Sequence, residues 1–203
     1  MRFEAVSDVG EQFAILGIGS NLDPEEQILQ AVPALRARVR VVQASRFYRG
    51  PAYHPFSPAE PLPLFINGVF GVRTSLSPAE LKFGVLRQIE EGFGRRRTAD
   101  RFAPRMLDLD LLIYGAARME SAELVLPDPE VFLRPYWALP VSELMPDLPE
   151  PTTGVPLRRL VEQMDSKSLV FEKALTLAVR KVIGGGTAGI DGWPGAARDR
   201  VPR

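Results

Sequence analysis

The chain reads as an α+β fold of the ferredoxin-like type, a βαββαβ core with an antiparallel sheet and helices packed on its faces. Three observations predict it. Apolar strand segments and amphipathic helical segments interleave as β-α-β-β-α-β up to Tyr114. The two middle strands follow one another across a long loop, which suits antiparallel neighbours better than a parallel doubly wound sheet. The length of 203 residues, with 45% apolar and 25% charged residues, is that of one ordinary globular domain with a sizeable core.

Residues 1–12 carry Arg2, Glu4, Asp8 and Glu11, lack the apolar run of a secretory signal, and read as a leader. Residues 13–18 are continuously apolar, as in a strand buried on both faces. Asp23 then suits an N-cap, Pro24 the first helical position, and Glu25 and Glu26 the first turn of a helix reaching Arg38. Ile28, Leu29, Val32 and Leu35 form its inner face, and Pro33 should kink or shorten it. Gly17 and Gly19 begin a dinucleotide fingerprint, but Leu22 stands where the third glycine belongs. They read instead as positions of close backbone packing or ligand approach.

Val39 to Tyr48 is rich in strand formers and reads as the second strand. Gly50 to Pro63 contains five prolines and must be an irregular loop, of a length often functional. His54, the single histidine, lies in it and is assigned no catalytic role. Leu64 to Thr74 forms the third strand, with Asn67 buried among Phe65, Ile66 and Val69. A buried amide needs partners, so Asn67 is either structural or a reader of a ligand's donor–acceptor edge. Ser77, three residues before Glu80, makes a capping box opening a helix to Glu91, with Leu81, Val85, Leu86 and Ile89 inward.

The stretch from Gly94 to Tyr114 carries the chemistry. Arg95, Arg96, Arg97, Arg101 and Arg105 fall within eleven residues, opposed only by Asp100. If residues 107–113 are a strand, Asp108 and Asp110 share one face, while Leu107, Leu109, Leu111 and Ile113 share the other. Two like charges on a hydrophobic strand need compensation, and carboxylate oxygens are ligands that Mg²⁺ accepts. Guanidinium donors suit phosphate oxygens. Together they suggest a nucleotide polyphosphate with Mg²⁺. The blander alternative is a solvated arginine loop beside an incidental pair of aspartates, and charge pattern alone does not choose.

Beyond Tyr114 come Leu124 to Leu126, a stiff Leu126-Pro127-Asp128-Pro129 turn, and Arg134 ahead of the aromatic Tyr136-Trp137. A Pro/Gly loop at 150–156 precedes a helical pattern at 157–166. The domain is bounded at 13–165. Residues 166–203 form a C-terminal extension, with apolar helical periodicity over 169–183 and then a flexible-looking tail.

Zero net charge gives no global argument for nucleic acid or an anionic membrane. The absence of cysteine excludes disulfides, Cys-ligated zinc and thiol catalysis. No run of apolar residues is long enough to span a bilayer, so a cytoplasmic monomer is the expectation.

Several blocks then fall in order: Ile15-Leu16-Gly17-Ile18-Gly19-Ser20-Asn21-Leu22, Phe47-Tyr48-Arg49, Phe65-Ile66-Asn67, and Arg101-Phe102-Ala103-Pro104-Arg105-Met106-Leu107-Asp108-Leu109-Asp110. With Leu126-Pro127-Asp128-Pro129 and Arg134 following, residues 13–165 resemble the 6-hydroxymethyl-7,8-dihydropterin pyrophosphokinase family. The resemblance implies ATP-dependent transfer of diphosphate to the hydroxymethyl group of the pterin, with release of AMP, in folate biosynthesis. It implies two Mg²⁺ ions held with ATP by Asp108 and Asp110. Arg95 and Arg105 are implied as catalytic, and Arg97, Arg101, Phe102, Arg134 and Glu90 as nucleotide contacts. Phe65 and Tyr136 would sandwich the pterin, with Asn67 as its amide reader.

The chain departs from the family pattern at Phe102 (commonly Trp), Ala103 (Gly), Met106 (Thr or Ser), Gly50 (Thr or Ser) and Asp128 (His). A catalytically weakened paralogue that binds nucleotide or pterin as a regulatory or partner-binding module is therefore the second reading. An RNA-binding module using the arginine loop is disfavoured by the neutral charge and the missing aromatic strand motif.

Overall fold

The structure, a computed structural model, describes residues 10–52, 64–94 and 106–184. The described chain builds β1 (Gln12–Ser20), α1 (Pro24–Arg36), β2 (Arg40–Ala44), β3 (Tyr48–Pro51) and β4 (Leu64–Thr74). Helix α2 opens as a π-helical stretch, Glu80–Leu86, and continues as an α-helix, Arg87–Gly92. Then come β5 (Asp108–Tyr114), the small hairpin β6 (Met119–Glu120) and β7 (Val125–Leu126), α3 (Glu130–Leu133) and α4 (Pro135–Leu144). Helix α5 (Leu157–Gln163), β8 (Val170–Phe171) and α6 (Lys173–Ile183) complete it.

The main sheet runs β5-β1-β4-β3-β8, with β2 also on β4, and every pairing is antiparallel. Strand β4 therefore separates β1 from the strands that follow α1, which is the split connection of a ferredoxin-like sheet. Helices α1, α2 and α6 cover one face, packing Ile28, Leu35, Leu86 and Val179 against Leu16, Ile18, Phe70 and Leu109. Helices α4 and α5 cover the other, packing Trp137, Val141 and Leu157 against Ile15, Val69 and Leu112. No described helix is long and apolar enough to cross a membrane.

Several details differ from expectation. The predicted strand over 39–48 is two strands. Its ladder with β4 slips between Val41 and Gln43. Ser45 then exchanges bonds with Val69: Ser45 N–H donates to the Val69 carbonyl at 3.0 Å, and Ser45 Oγ accepts the Val69 N–H at 2.9 Å. Phe47 turns inward over Gly68, filling the place of its missing side chain. Asp23 stands at the start of α1 but in a left-handed conformation (φ 46°), without a side-chain cap bond, and the helix ends at Arg36. Pro33 is accommodated inside α1 without ending it. The Ser77–Glu80 capping box forms as expected, with Ser77 N–H donating to Glu80 Oε2 at 2.8 Å and Glu80 N–H to Ser77 Oγ at 3.3 Å.

Ile113 does not share the face of Leu107, Leu109 and Leu111. The β1–β5 register shifts between Ile15 and Leu16, so Leu112 is an extra residue on β5. A bulge places two successive side chains on one side of the sheet. Leu112 and Ile113 accordingly both face α4, while Leu111 and Tyr114 face α2.

The boundary set at residue 165 is not a boundary in the packing. Strand β8 extends the sheet at β3, and Leu175 and Val179 of α6 join the core beneath α1 and β2. Phe47, at the break between β2 and β3, donates its N–H to Thr176 Oγ1 (3.0 Å) and accepts the Glu172 N–H (2.9 Å). Residues 1–9, 53–63 and 185–203 lie outside the described residues, and with them most of the leader, whose last residue, Gln12, begins β1, most of the proline-rich loop with His54, and the tail.

Candidate active site

The site follows from strand register. Gly19 of β1 sits between Asp108 of β5 and Asn67 of β4, and one pleat further in, Gly17 sits between Asp110 and Val69. Residues opposite one another in antiparallel strands share a face. Asp108, Asp110, Asn67 and Val69 therefore face α4, with a strip of β1 between them that carries no side chain. Both glycines are required by close approach. A Cβ at Gly17 would lie 2.8 Å from the Trp137 ring, and one at Gly19 would lie 2.6 Å from Asn67 Oδ1. Trp137 thus closes the inner end of a trough, and the outer end at Gly19 is bounded by an amide on one side and carboxylates on the other.

Phe65 belongs to the same face, one pleat beyond Asn67 towards the start of β4, and is half-buried. Asn67 is also only half-buried, in place of the fully buried amide expected. Tyr136 and Arg134 come from the start of α4, where Arg134 offers its carbonyl to Trp137 N–H (3.0 Å) and Ala138 N–H (2.8 Å). The Tyr136 hydroxyl donates to Glu130 Oε2 at 2.8 Å, its ring meets Trp137 edge-on at 5.5 Å, and burial pushes its phenol well above the ordinary range.

The acidic wall is held from behind by α2. Leu109, between the two aspartates, points its N–H and C=O away from β1, because the residues on either side pair with Gly19 and Gly17. Glu90, buried, accepts the Leu109 N–H at 2.8 Å. Lys82 Nζ donates to the Leu109 carbonyl at 3.1 Å and to Asp110 Oδ1 at 2.5 Å. In an α-helix, residues eight apart are rotated about 80° from each other. The wider turns of the π-helical stretch after Lys82 reduce that angle and let both side chains reach one backbone unit. Glu90, expected at the nucleotide, is thus placed at the free edge of the aspartate strand.

Asp128, between β7 and α3, closes the same corner. Its N–H donates to the Leu112 carbonyl (2.8 Å), and its Oδ1 accepts the Glu130 N–H (2.8 Å). Burial, then the neighbouring Asp110 and Glu130 carboxylates, push its carboxyl up to about 6, against the Glu130 N–H and Lys82, which lower it. At the outer end, buried Ser20 donates from Oγ to the Met106 carbonyl at 2.6 Å, fastening the start of β5 to the end of β1.

Among the described residues, no three His, Cys, Asp or Glu side chains come together as a metal cage. Two carboxylates on one strand face suit Mg²⁺ differently. This ion usually takes one or two protein carboxylates and completes its shell with phosphate oxygens and water. The donor set fits Mg²⁺ arriving with a polyphosphate.

The structure thus places Asp108, Asp110, Asn67 and Phe65 on one face of the sheet, and Tyr136 and Arg134 at the start of α4, the helix packed on that face. Arg95, Arg97, Arg101, Phe102 and Arg105 lie outside the described residues. Sequence reasoning missed Ser20 and Lys82. Ser20 was visible as the polar residue closing the Gly-x-Gly-Ser run; Lys82 gave no signal, because its position depends on the π turn.

The model of the 7,8-dihydro-6-hydroxymethylpterin-pyrophosphokinase family matches residues 15–146. The 2-amino-4-hydroxy-6-hydroxymethyldihydropteridine pyrophosphokinase of Synechocystis is 40% identical over 155 residues, covering 75% of this chain and 76% of that protein. The enzyme of the same name from Pseudomonas aeruginosa is 36% identical over 140 residues, covering 68% and 83%. Among solved structures, Plasmodium falciparum HPPK-DHPS, wild type with SDX-DHP, superposes with a TM-score of 0.57 at 11% identity. That likeness covers 77% of this chain and 45% of that one, and concerns the fold.

Proposed function

The chain belongs to the 7,8-dihydro-6-hydroxymethylpterin-pyrophosphokinase family, and from that premise we propose that it transfers diphosphate from ATP to 6-hydroxymethyl-7,8-dihydropterin. The observation that carries the reading is the row Asp108–Gly19–Asn67 across three strands. Its outer members are two strand spacings apart, roughly 10 Å. That leaves a pterin edge at the amide and a triphosphate at the carboxylates, with the reacting groups meeting beside Gly19, which adds no side chain of its own.

In this reading the Asn67 amide, with one acceptor and two donors, reads the pterin edge. Phe65 and Tyr136 present aromatic surface to its rings. The hydroxymethyl oxygen attacks the β-phosphorus, the bond from that phosphorus to the α-phosphate bridging oxygen breaks, AMP leaves, and the hydroxyl proton passes to solvent. Asp108 and Asp110 would hold Mg²⁺ with the triphosphate, where the ion neutralises charge developing on the transferred group. Arg95, Arg97, Arg101, Arg105 and Arg134 are assigned to the phosphate oxygens, as cations suited to bidentate contacts. Such a site needs no strong base; positioning and charge stabilisation supply the rate.

A second reading, a catalytically weakened paralogue, rests on Asp128, a carboxylate whose electrostatics couple to Asp110. Calorimetric titration with ATP tests the metal assignment. ATP binds tightly only with Mg²⁺, and Asp108→Ala removes that dependence. Equal affinity with and without Mg²⁺ in the unaltered protein contradicts it.

A further inference from the structure

We propose that Lys82 is a built-in counter-cation of the acidic wall, holding Asp110 through Oδ1 and competing with a divalent cation for that carboxylate. The proposal rests on the reading of Asp108 and Asp110 as metal ligands. Lys82 lies on α2, on the opposite face of the sheet from the trough, and reaches it around β5, an edge strand. Its Nζ is fixed at two points, the Leu109 carbonyl at 3.1 Å and Asp110 Oδ1 at 2.5 Å, and its side chain is only 20% exposed. An ammonium so placed is a compact point charge with two of its three donors engaged. The π turn from Glu80 to Leu86 aims it there, and such turns are frequent at functional sites.

The charge balance gives Lys82 its role. Asp110 shares its strand face with Asp108 and has the Asp128 carboxyl as an electrostatic neighbour. Like charges at close range repel one another unless a cation offsets them. Lys82 offsets that charge and holds Asp110 through Oδ1 before any metal arrives. The same ammonium repels a divalent ion approaching Asp110, so nucleotide-free protein binds the metal weakly. ATP, bringing the cation with its own negative charge, escapes most of that penalty. Lys82 is therefore a positioning residue that makes metal capture depend on nucleotide.

Titration of nucleotide-free protein with Mn²⁺, followed by the electron paramagnetic resonance signal of the free ion, tests this. Lys82→Met binds Mn²⁺ about tenfold more tightly than the unaltered protein, from removal of one charge a few ångströms from the ion. Lys82→Arg, which keeps the charge, stays weak. A merely structural lysine would weaken or leave unchanged the binding when removed. Binding by Lys82→Met no tighter than by the unaltered protein, including no binding by either, overturns the proposal. The metal-ligand reading is judged apart from this: Asp108→Asn abolishes the Mg²⁺ dependence of ATP binding if that reading holds, whatever Lys82 does.

Discussion

Glu90 Oε1 accepts the backbone N–H of Leu109 at 2.8 Å, so a buried carboxylate from one face of the sheet fixes the peptide between the two aspartates on the other. A strand edge exposes unpaired N–H and C=O groups that must find partners. Here α2 supplies an anion for the first and, through Lys82, a cation for the second. Replacing Glu90 by Ala strands a buried donor, which costs about 1–3 kcal/mol. Urea unfolding should show that loss. Because β5 then loosens where Asp108 and Asp110 arise, kcat should fall as well, with the KM for pterin little changed.

Gly19→Ala separates the two sides of the trough. The added methyl meets Asn67 Oδ1, the end of a flexible side chain, so the cost in stability is small and the amide is pushed aside. A misplacement of about 1 Å can cost up to about 100-fold in rate. Steady-state kinetics should give a KM for pterin raised at least several-fold, with the KM for ATP close to its original value.

Asp128 gives stability a pH dependence of known sign. Its folded value of about 6 lies above its ordinary 3.8. The folded state therefore binds more protons between those values, and stability rises as pH falls from 6 towards 4. Above pH 6 the penalty is fully present, on the order of 1–3 kcal/mol. Asp128→Asn keeps an oxygen for the Glu130 N–H and removes the charge. Thermal unfolding without metal should show the variant more stable at pH 7.5, with the gain vanishing near pH 4.

The C-terminal segment is expected to be part of the folding unit. Thr176→Val preserves shape but takes the acceptor from the buried Phe47 N–H. The loss is about 1–3 kcal/mol, and each kcal/mol lowers Tm by about 2–4 °C in a domain of this size. Differential scanning calorimetry should find one transition at lower temperature. An unchanged Tm would show that the bond contributes nothing.

How much was legible follows from which interactions are local. Period-two alternation placed Asp108 and Asp110 on one face, and the Ser77–Glu80 cap was readable because both partners lie within one turn. The bulge at Leu112 was not, because it is a property of the pairing with β1 and leaves Leu111-Leu112-Ile113 a uniform apolar run. The same holds for Ser45 and Phe47: they sit in a run of strand formers, and only contacts with Val69 and Gly68 break it. The resemblance set Glu90 among the nucleotide contacts, and only the pairing of β5 shows that its carboxylate also holds a backbone amide of the strand that bears the aspartates. The extension after residue 165 was unreadable as core because two-residue β8 and the single face of α6 make sense only against β3 and α1.

The reaction itself is tested most directly by phosphorus NMR of the products formed from ATP and 6-hydroxymethyl-7,8-dihydropterin with Mg²⁺. Attack at the β-phosphorus predicts AMP and the pterin diphosphate in equal amounts, and none when Asp108 is Ala. ADP with a pterin monophosphate, or no AMP from the folded protein under saturating substrates, contradicts it.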